Sequence, residues 1–160
     1  MENFSDRLHL DPVDKKILEM LQEDANYTNK EIAAQLGLTI TPVYERIKKL
    51  KRSGFIKKTV IIIDPKKAGK NILAFCNVSL KEHTLAFINE FQDKIVKLEE
   101  VQACYHIAGQ YDYLLTVYAN DMDEYQNFIT TKLAAIENIA HVQSSFVMKE
   151  VKKEYAIRIE

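Results

Sequence analysis

The sequence predicts an α+β chain in two parts, and three observations predict it. Short capped segments with apolar residues at helical spacing fill the first third of the chain. The period then changes to strand-like runs separated by turns and two further helices. Positive charge gathers in one place: Arg46, Lys48, Lys49, Lys51, Arg52, Lys57 and Lys58 have no acid among them, although the net charge of all 160 residues is −1. That asymmetry suits a chain with one end for a polyanion and another end for a different task. With 47% apolar residues the chain can fill a core without a metal or disulfide staple.

Residues 1–9 show no periodicity and are expected to form a loose arm. Asp11, Pro12 and Asp14 then occupy the N-cap, N1 and N3 places of a first helix, where a carboxylate suits the helix dipole. Leu10, Val13, Ile17 and Leu21 give it an apolar stripe. Thr28 and Glu31 form a capping box that opens a second helix, with Ile32, Ala33 and Leu36 inward and Gly37 at its end. A third helix begins either at Thr39, which puts Pro42 at N3, or at Thr41, which puts Pro42 at N1; both tolerate the missing N–H. Its stripe is Val43, Ile47 and Leu50, and it stops at Gly54.

Two short helices around a glycine turn constitute a helix-turn-helix unit. The face of the third helix away from its stripe carries Thr41, Tyr44, Glu45, Lys48 and Arg52. Such a packed back and long, hydrogen-bonding, mostly basic front suits a DNA groove. Taken alone, the same stretch also fits a surface helix with solvated lysines. Phe55–Ile56 and Thr59–Ile63 read as extended, with Lys57 and Lys58 where a wing or exit strand would brush a phosphate backbone. Asp64–Pro65 and Lys66–Asn71 form a polar linker, which divides the chain into a winged helix-turn-helix domain, 1–64, and a second domain, 65–160.

In the second domain Leu73–Leu80 is expected as a strand and Thr84–Leu98 as a helix with Ile88, Phe91, Ile95 and Leu98 inward. Glu100–Ala108 and Tyr111–Ala119 are two strands joined by a two-residue turn at Gly109–Gln110. Asp121 and Glu124 cap another helix, using Met122, Tyr125, Ile129 and Ile136. His141–Val151 is a strand, and a short tail strand is expected at Tyr155–Ile159. The order βαββαβ is the ferredoxin-like split unit, with both helices on one face of an antiparallel sheet. The strands carry apolar side chains on both faces, so the uncovered face is expected to meet a second copy, giving a homodimer with the two-fold symmetry of a palindromic site.

Other classes find little support. No run approaches a membrane span and the start lacks an apolar signal region, so a cytoplasmic chain is expected, and the DNA-binding reading of the third helix makes it nucleoid-associated. Cys76 and Cys104 lack CxxC spacing and read as small core residues in a reducing compartment. His9, His83, His106 and His141 are scattered, and no Gly-rich phosphate loop or nucleophile motif appears. No catalytic residue, metal site or cofactor is expected, and the chain is read as a non-enzyme.

With both halves placed, the chain resembles the Lrp/AsnC (leucine-responsive, asparagine-responsive or feast/famine) transcription regulators. The resemblance runs from Leu10 to about Lys153 and rests on LDPVDKKILEMLQED, TNKEIAAQLGLTITPVYERIKKLKRSGFI, AGQYDYLLTV and SSFVMKEVK. It implies a DNA-binding N-terminal domain and an amino-acid-sensing C-terminal domain that dimerises and assembles further, often to octamers. On that resemblance Thr39, Thr41, Pro42, Tyr44, Glu45 and Arg46 fall on the recognition helix. Lys48, Lys49 and Arg52 fall on its phosphate-contacting side, with Thr28, Asn29 and Lys30 at the start of the second helix. Phosphate contacts would hold the helix while side chains reach base edges.

The resemblance also implies an effector site around the glycine hairpin and the facing last strand, between dimers. Here that means His106, Ile107, Ala108, Gly109, Tyr111 and Asp112, then Met122, then Ser144, Ser145 and Phe146. Asp112 would take the effector's ammonium group, and backbone around Gly109 its carboxylate. His106 and Ser145 are more polar than leucine would favour as effector. The alternative is an architectural protein that wraps or bends DNA with no ligand.

Overall fold

A computed structural model describes residues Leu10 to Ile159; the expected N-terminal arm lies outside the described residues. The described chain forms two compact units. One comprises residues up to Ile61 together with the segment from Lys152 onward, and the other spans Ile62–Val151.

The first unit packs α1 (Pro12–Glu23), α2 (Asn29–Leu36) and α3 (Ile40–Arg52) around Ile17, Leu18, Ile32, Ala33, Val43 and Leu50. Each start is visible in local chemistry. Asp11 accepts the Asp14 N–H at 2.8 Å to cap α1. Thr28 and Glu31 exchange bonds in both directions at α2. Gly37 ends α2 in the left-handed region, φ +65°, and Leu38 N–H reaches back to Ala33 O at 2.9 Å. That bond closes the helix and sets the tight turn into α3. The start of α3 settles on Thr39 as N-cap, whose side chain makes no cap bond, so Pro42 lies at N3.

After α3 no strand forms through Asn71. The β-branched residues 60–63 stay unpaired, and Ile61 is 90% exposed. The expected tail strand at 155–159 is also absent. Instead the tail returns to α1. Ile157 N–H donates to Gln22 Oε1 at 2.8 Å, Gln22 Nε2 donates to Ile157 O at 3.1 Å, and Ile159 packs on the helical core.

The second unit contains β1 (Ile72–Leu80), α4 (Leu85–Ile95), β2 (Val101–His106), β3 (Tyr113–Ala119), α5 (Met122–Asn127) and β4 (Ile139–Phe146). The antiparallel sheet has the order β2-β3-β1-β4, the ferredoxin-like arrangement expected. Its covered face supplies Ala74, Cys76, Val78, Leu115 and Val117 to a core shared with Phe91 and Ile95 of α4 and Tyr125 of α5. A register shift between Val101 and Ala103 turns Val101 toward that core, off the face that carries Ala103 and Tyr105.

Several boundaries differ from expectation, among them the end of α4, at Ile95 rather than Leu98, and the start of β4, at Ile139 rather than His141. α5 runs into a π-helical turn, Phe128–Leu133, where the Thr130 and Thr131 hydroxyls bond the carbonyls four residues back. β4 ends at Phe146 rather than Val151, with Val147 N–H donating to Leu73 O just beyond it. Gly109–Gln110 is not a two-residue turn. β2 and β3 are joined by a loop over 107–112, closed by Ile107 N–H to Asp112 O at 2.8 Å.

Candidate DNA interface and effector site

The DNA-facing candidates depend on how α3 is seated. Val43 and Leu50 are buried, and this anchors one side of the helix. The side they leave outward exposes Thr41, Pro42, Tyr44, Glu45, Lys48, Lys49 and Arg52. Thr39 and Lys30 are exposed as well, while Asn29 is half-buried. Lys48 Nζ lies 5.8 Å from the centroid of the Tyr44 ring, one turn away, so these two side chains form a cation–π pair. The Thr28 hydroxyl is already committed to the capping box, and the Thr28 N–H, with the hydroxyl beside it, holds the Glu31 carboxyl below the usual carboxylate range.

Arg46 departs from the expected set. Its Nη1 donates to Asp11 Oδ2 at 2.5 Å and to Asp14 Oδ1 at 2.6 Å, which turns the guanidinium toward α1 and away from the outward face. The Asp14 side chain is 3% exposed, so the arginine neutralises a buried carboxylate. Bonds from the Asp14 N–H and Arg46 outweigh burial and lower the Asp11 carboxyl, and both carboxylates raise Arg46. Sequence spacing offered no sign of this pair, whose members lie 32 positions apart.

The effector candidates fall into two groups within one chain. His106 and the 107–112 loop sit at the β2 edge, while Ser144, Ser145 and Phe146 lie on β4 at the other edge. With β3 and β1 between them, the edge strands stand roughly 14 Å apart. They also separate along the strands: Asp112 N–H bonds Val78 O, whereas Phe146 pairs beside Ala74. Met122 follows the far end of β3 and stands with the second group. Tyr111 bridges part of the gap, because its hydroxyl donates to Gln143 Oε1 of β4.

Around the loop, the His106 ring stacks on Tyr113 with centroids 4.7 Å apart. Gly109 has φ +147°, a conformation that favours glycine. Asp112 is not a free acceptor: Oδ2 takes the Leu80 N–H at 2.7 Å and Oδ1 takes His83 Nε2 at 2.8 Å. Burial opposes its ionisation, but the Leu80 bond and His83 outweigh that and hold the carboxyl below its ordinary value. His83 belongs to no motif and was missed by sequence reasoning.

In the second group, Tyr125 OH donates to Ser144 Oγ at 2.5 Å and lies 3.0 Å from Cys76 Sγ. Phe146 meets the Tyr125 ring edge-on at 4.9 Å. Tyr125 thus fixes two candidate residues from beneath the sheet. An open cleft of about 370 Å³ between the π-helical turn and β4, lined by Lys81, Ile129, Ile136 and His141, contains none of the candidates. Among the described residues no His, Cys, Asp or Glu side chains gather into a metal-binding group, and no helix is long and apolar enough to cross a membrane.

A helix-turn-helix unit with an outward, largely basic third helix, joined to a ferredoxin-like unit, defines a two-domain DNA-binding transcriptional regulator. The chain belongs to the Lrp/AsnC family: the Lrp/AsnC ligand binding domain matches residues 73–157, and a winged helix-turn-helix DNA-binding domain matches residues 10–57. It is 36% identical over 151 residues to the transcriptional regulator AzlB of Bacillus subtilis (strain 168), covering 94% of this chain and 96% of that protein. It is 32% identical over 144 residues to the leucine-responsive regulatory protein of Escherichia coli (strain K12), covering 90% and 88%. Among solved structures, a transcriptional regulator of Neisseria meningitidis in complex with L-Met superposes with a TM-score of 0.89 at 30% identity, covering 93% and 96%. AsnC of E. coli gives 0.87 at 25% identity, covering 94% and 99%.

Proposed function

We propose that this regulator senses a small amino acid in a site completed between copies of the chain. The 107–112 loop and His106 come from one copy, and Met122 with Ser144–Phe146 from another. The observation that carries this reading is the separation of the two groups across the sheet, which leaves each half-site open within its own chain. The open sheet face, with Phe75, Tyr105 and Leu114, is the dimer surface, and further association of dimers, to an octamer, would bring half-sites together. Assembly that depends on the ligand is the means by which occupancy alters the spacing of two α3 helices on DNA. Tyr44, Glu45 and Thr41 read base edges; Lys48, Lys49 and Arg52 hold phosphates. Arg46, tied to Asp11 and Asp14, acts as a structural brace.

Thermal unfolding with each of the twenty amino acids tests this reading. A ligand at 100 times its Kd stabilises by about 2.7 kcal/mol, a shift of several degrees. A shift with one or two amino acids, accompanied by a change in assembly, is expected. No shift with any of them at millimolar concentration would replace sensing with ligand-independent DNA wrapping. Sequencing genomic fragments retained with and without the stabilising amino acid would identify the sites and the response together.

A further inference from the structure

Asp112 is bound through every polar group it has. Its N–H goes to Val78 O at 3.0 Å, its carbonyl receives Ile107 N–H, Oδ2 receives Leu80 N–H, and Oδ1 receives His83. Three of these bonds are to backbone groups and come with the sheet and the loop closure. The fourth comes from a side chain, His83. Because an ionised carboxylate only accepts, Nε2 carries the hydrogen.

His83 is exposed on its outer side, yet the segment that carries it is fixed on both flanks. Glu82 N–H donates to Asn138 Oδ1 at 3.0 Å and Glu82 O receives Asn138 Nδ2 at 2.8 Å. Asn138 adopts φ +68° just before β4, an uncommon conformation in a residue other than glycine. On the other flank the Thr84 side chain caps α4. The imidazole is therefore delivered to Asp112 from a clamped platform.

We propose that His83 is a positioning residue of the effector site. By holding Asp112 Oδ1 it fixes the 107–112 loop in the form that receives an α-amino acid, without touching the ligand itself. This inference rests on the sensing role proposed above. It also reassigns Asp112 from binding the ligand's ammonium group to anchoring the loop.

The test uses the full chain and its His83→Ala and His83→Gln variants. Two quantities are measured: amide hydrogen exchange at Ile107 and Leu80 without ligand, and calorimetric titration with each of the twenty amino acids. In His83→Ala both amides should exchange several-fold faster, and the Kd of the amino acid that binds wild type should rise roughly tenfold, the scale of one charge-assisted hydrogen bond. The thermal midpoint should stay within about 2 °C, because an exposed side chain is being removed. His83→Gln, whose amide can donate to Oδ1, should restore both quantities. Unchanged exchange in His83→Ala, or binding as tight as wild type, overturns the proposal, as does failure of glutamine to restore. If wild type binds none of the twenty amino acids, the sensing role fails, while exchange at Ile107 still decides whether His83 holds the loop.

Discussion

Arg46 of α3 and Asp14 of α1 lie 2.6 Å apart, Nη1 to Oδ1, and Asp14 is the charged residue buried among the helices of the first unit. The pair joins α3, the helix proposed to face DNA, to α1. Arg46→Ala would leave a buried carboxylate uncompensated, which in full burial costs about 3–5 kcal/mol. Arg46 is partly exposed, so a loss of about 2 kcal/mol is expected, read as a lower urea midpoint at constant m-value. Adding Asp14→Ala to that variant should cost much less than the sum of the two single changes.

The outward cations of α3 should act through phosphates. Replacing Lys48, Lys49 and Arg52 together by alanine should weaken binding to every DNA sequence and flatten the dependence of log K on log salt by roughly one unit for each phosphate no longer neutralised. Tyr44→Ala should instead relax discrimination between sites. Equal retention of wild type and triple variant on DNA across a salt series would remove α3 from the interface.

Phe75 is 39% exposed and Tyr105 56% exposed on the face of the sheet that α4 and α5 leave open. Phe75→Asp places a charge there while leaving the covered core untouched. Sedimentation velocity should show monomer at concentrations where wild type is dimeric, with unchanged far-ultraviolet circular dichroism. Persistence of the dimer would move the interface elsewhere.

Acid should destabilise the fold in a defined window. Asp11, Glu31, Asp112 and Glu124 all have carboxyls lowered in the folded chain, chiefly by backbone N–H bonds working against burial. A lowered folded value contributes stability that is present above the unfolded value and lost as pH falls through the folded one. The thermal midpoint should therefore hold from pH 7 to about 5 and decline below about 4. Glu31→Gln, which keeps an acceptor but cannot titrate, should shrink that decline.

Both thiols should be inert in the native state. Burial pushes Cys76 up, and burial pushes Cys104 up to about 11, so the thiolate fraction at neutral pH is small. An aromatic disulfide reagent at pH 7.5 should label neither until urea unfolds the chain, whereupon both react.

The helices of the first unit and most strands of the second were legible in the sequence because their signals are local. Caps at Asp11 and Thr28, the glycine at 37 and the Val43–Ile47–Leu50 stripe each act within a turn or two of chain. So was the family, through segments that keep their order along nearly the whole chain. Decisions that depend on distant partners were not legible. Arg46 looked like a groove residue until Asp11 and Asp14 arrived from another helix. Asp112 looked like an open acceptor until the end of β1 and His83 occupied both its oxygens. β4 stops at Phe146, and no property of residues 147–151 announces that. Side-chain type, spacing and capping chemistry determined which elements form and which helix face is basic. Tertiary structure alone decided which charges are spent inside the protein and how far apart the two groups of effector candidates stand, because both depend on how packing arranges residues distant in sequence.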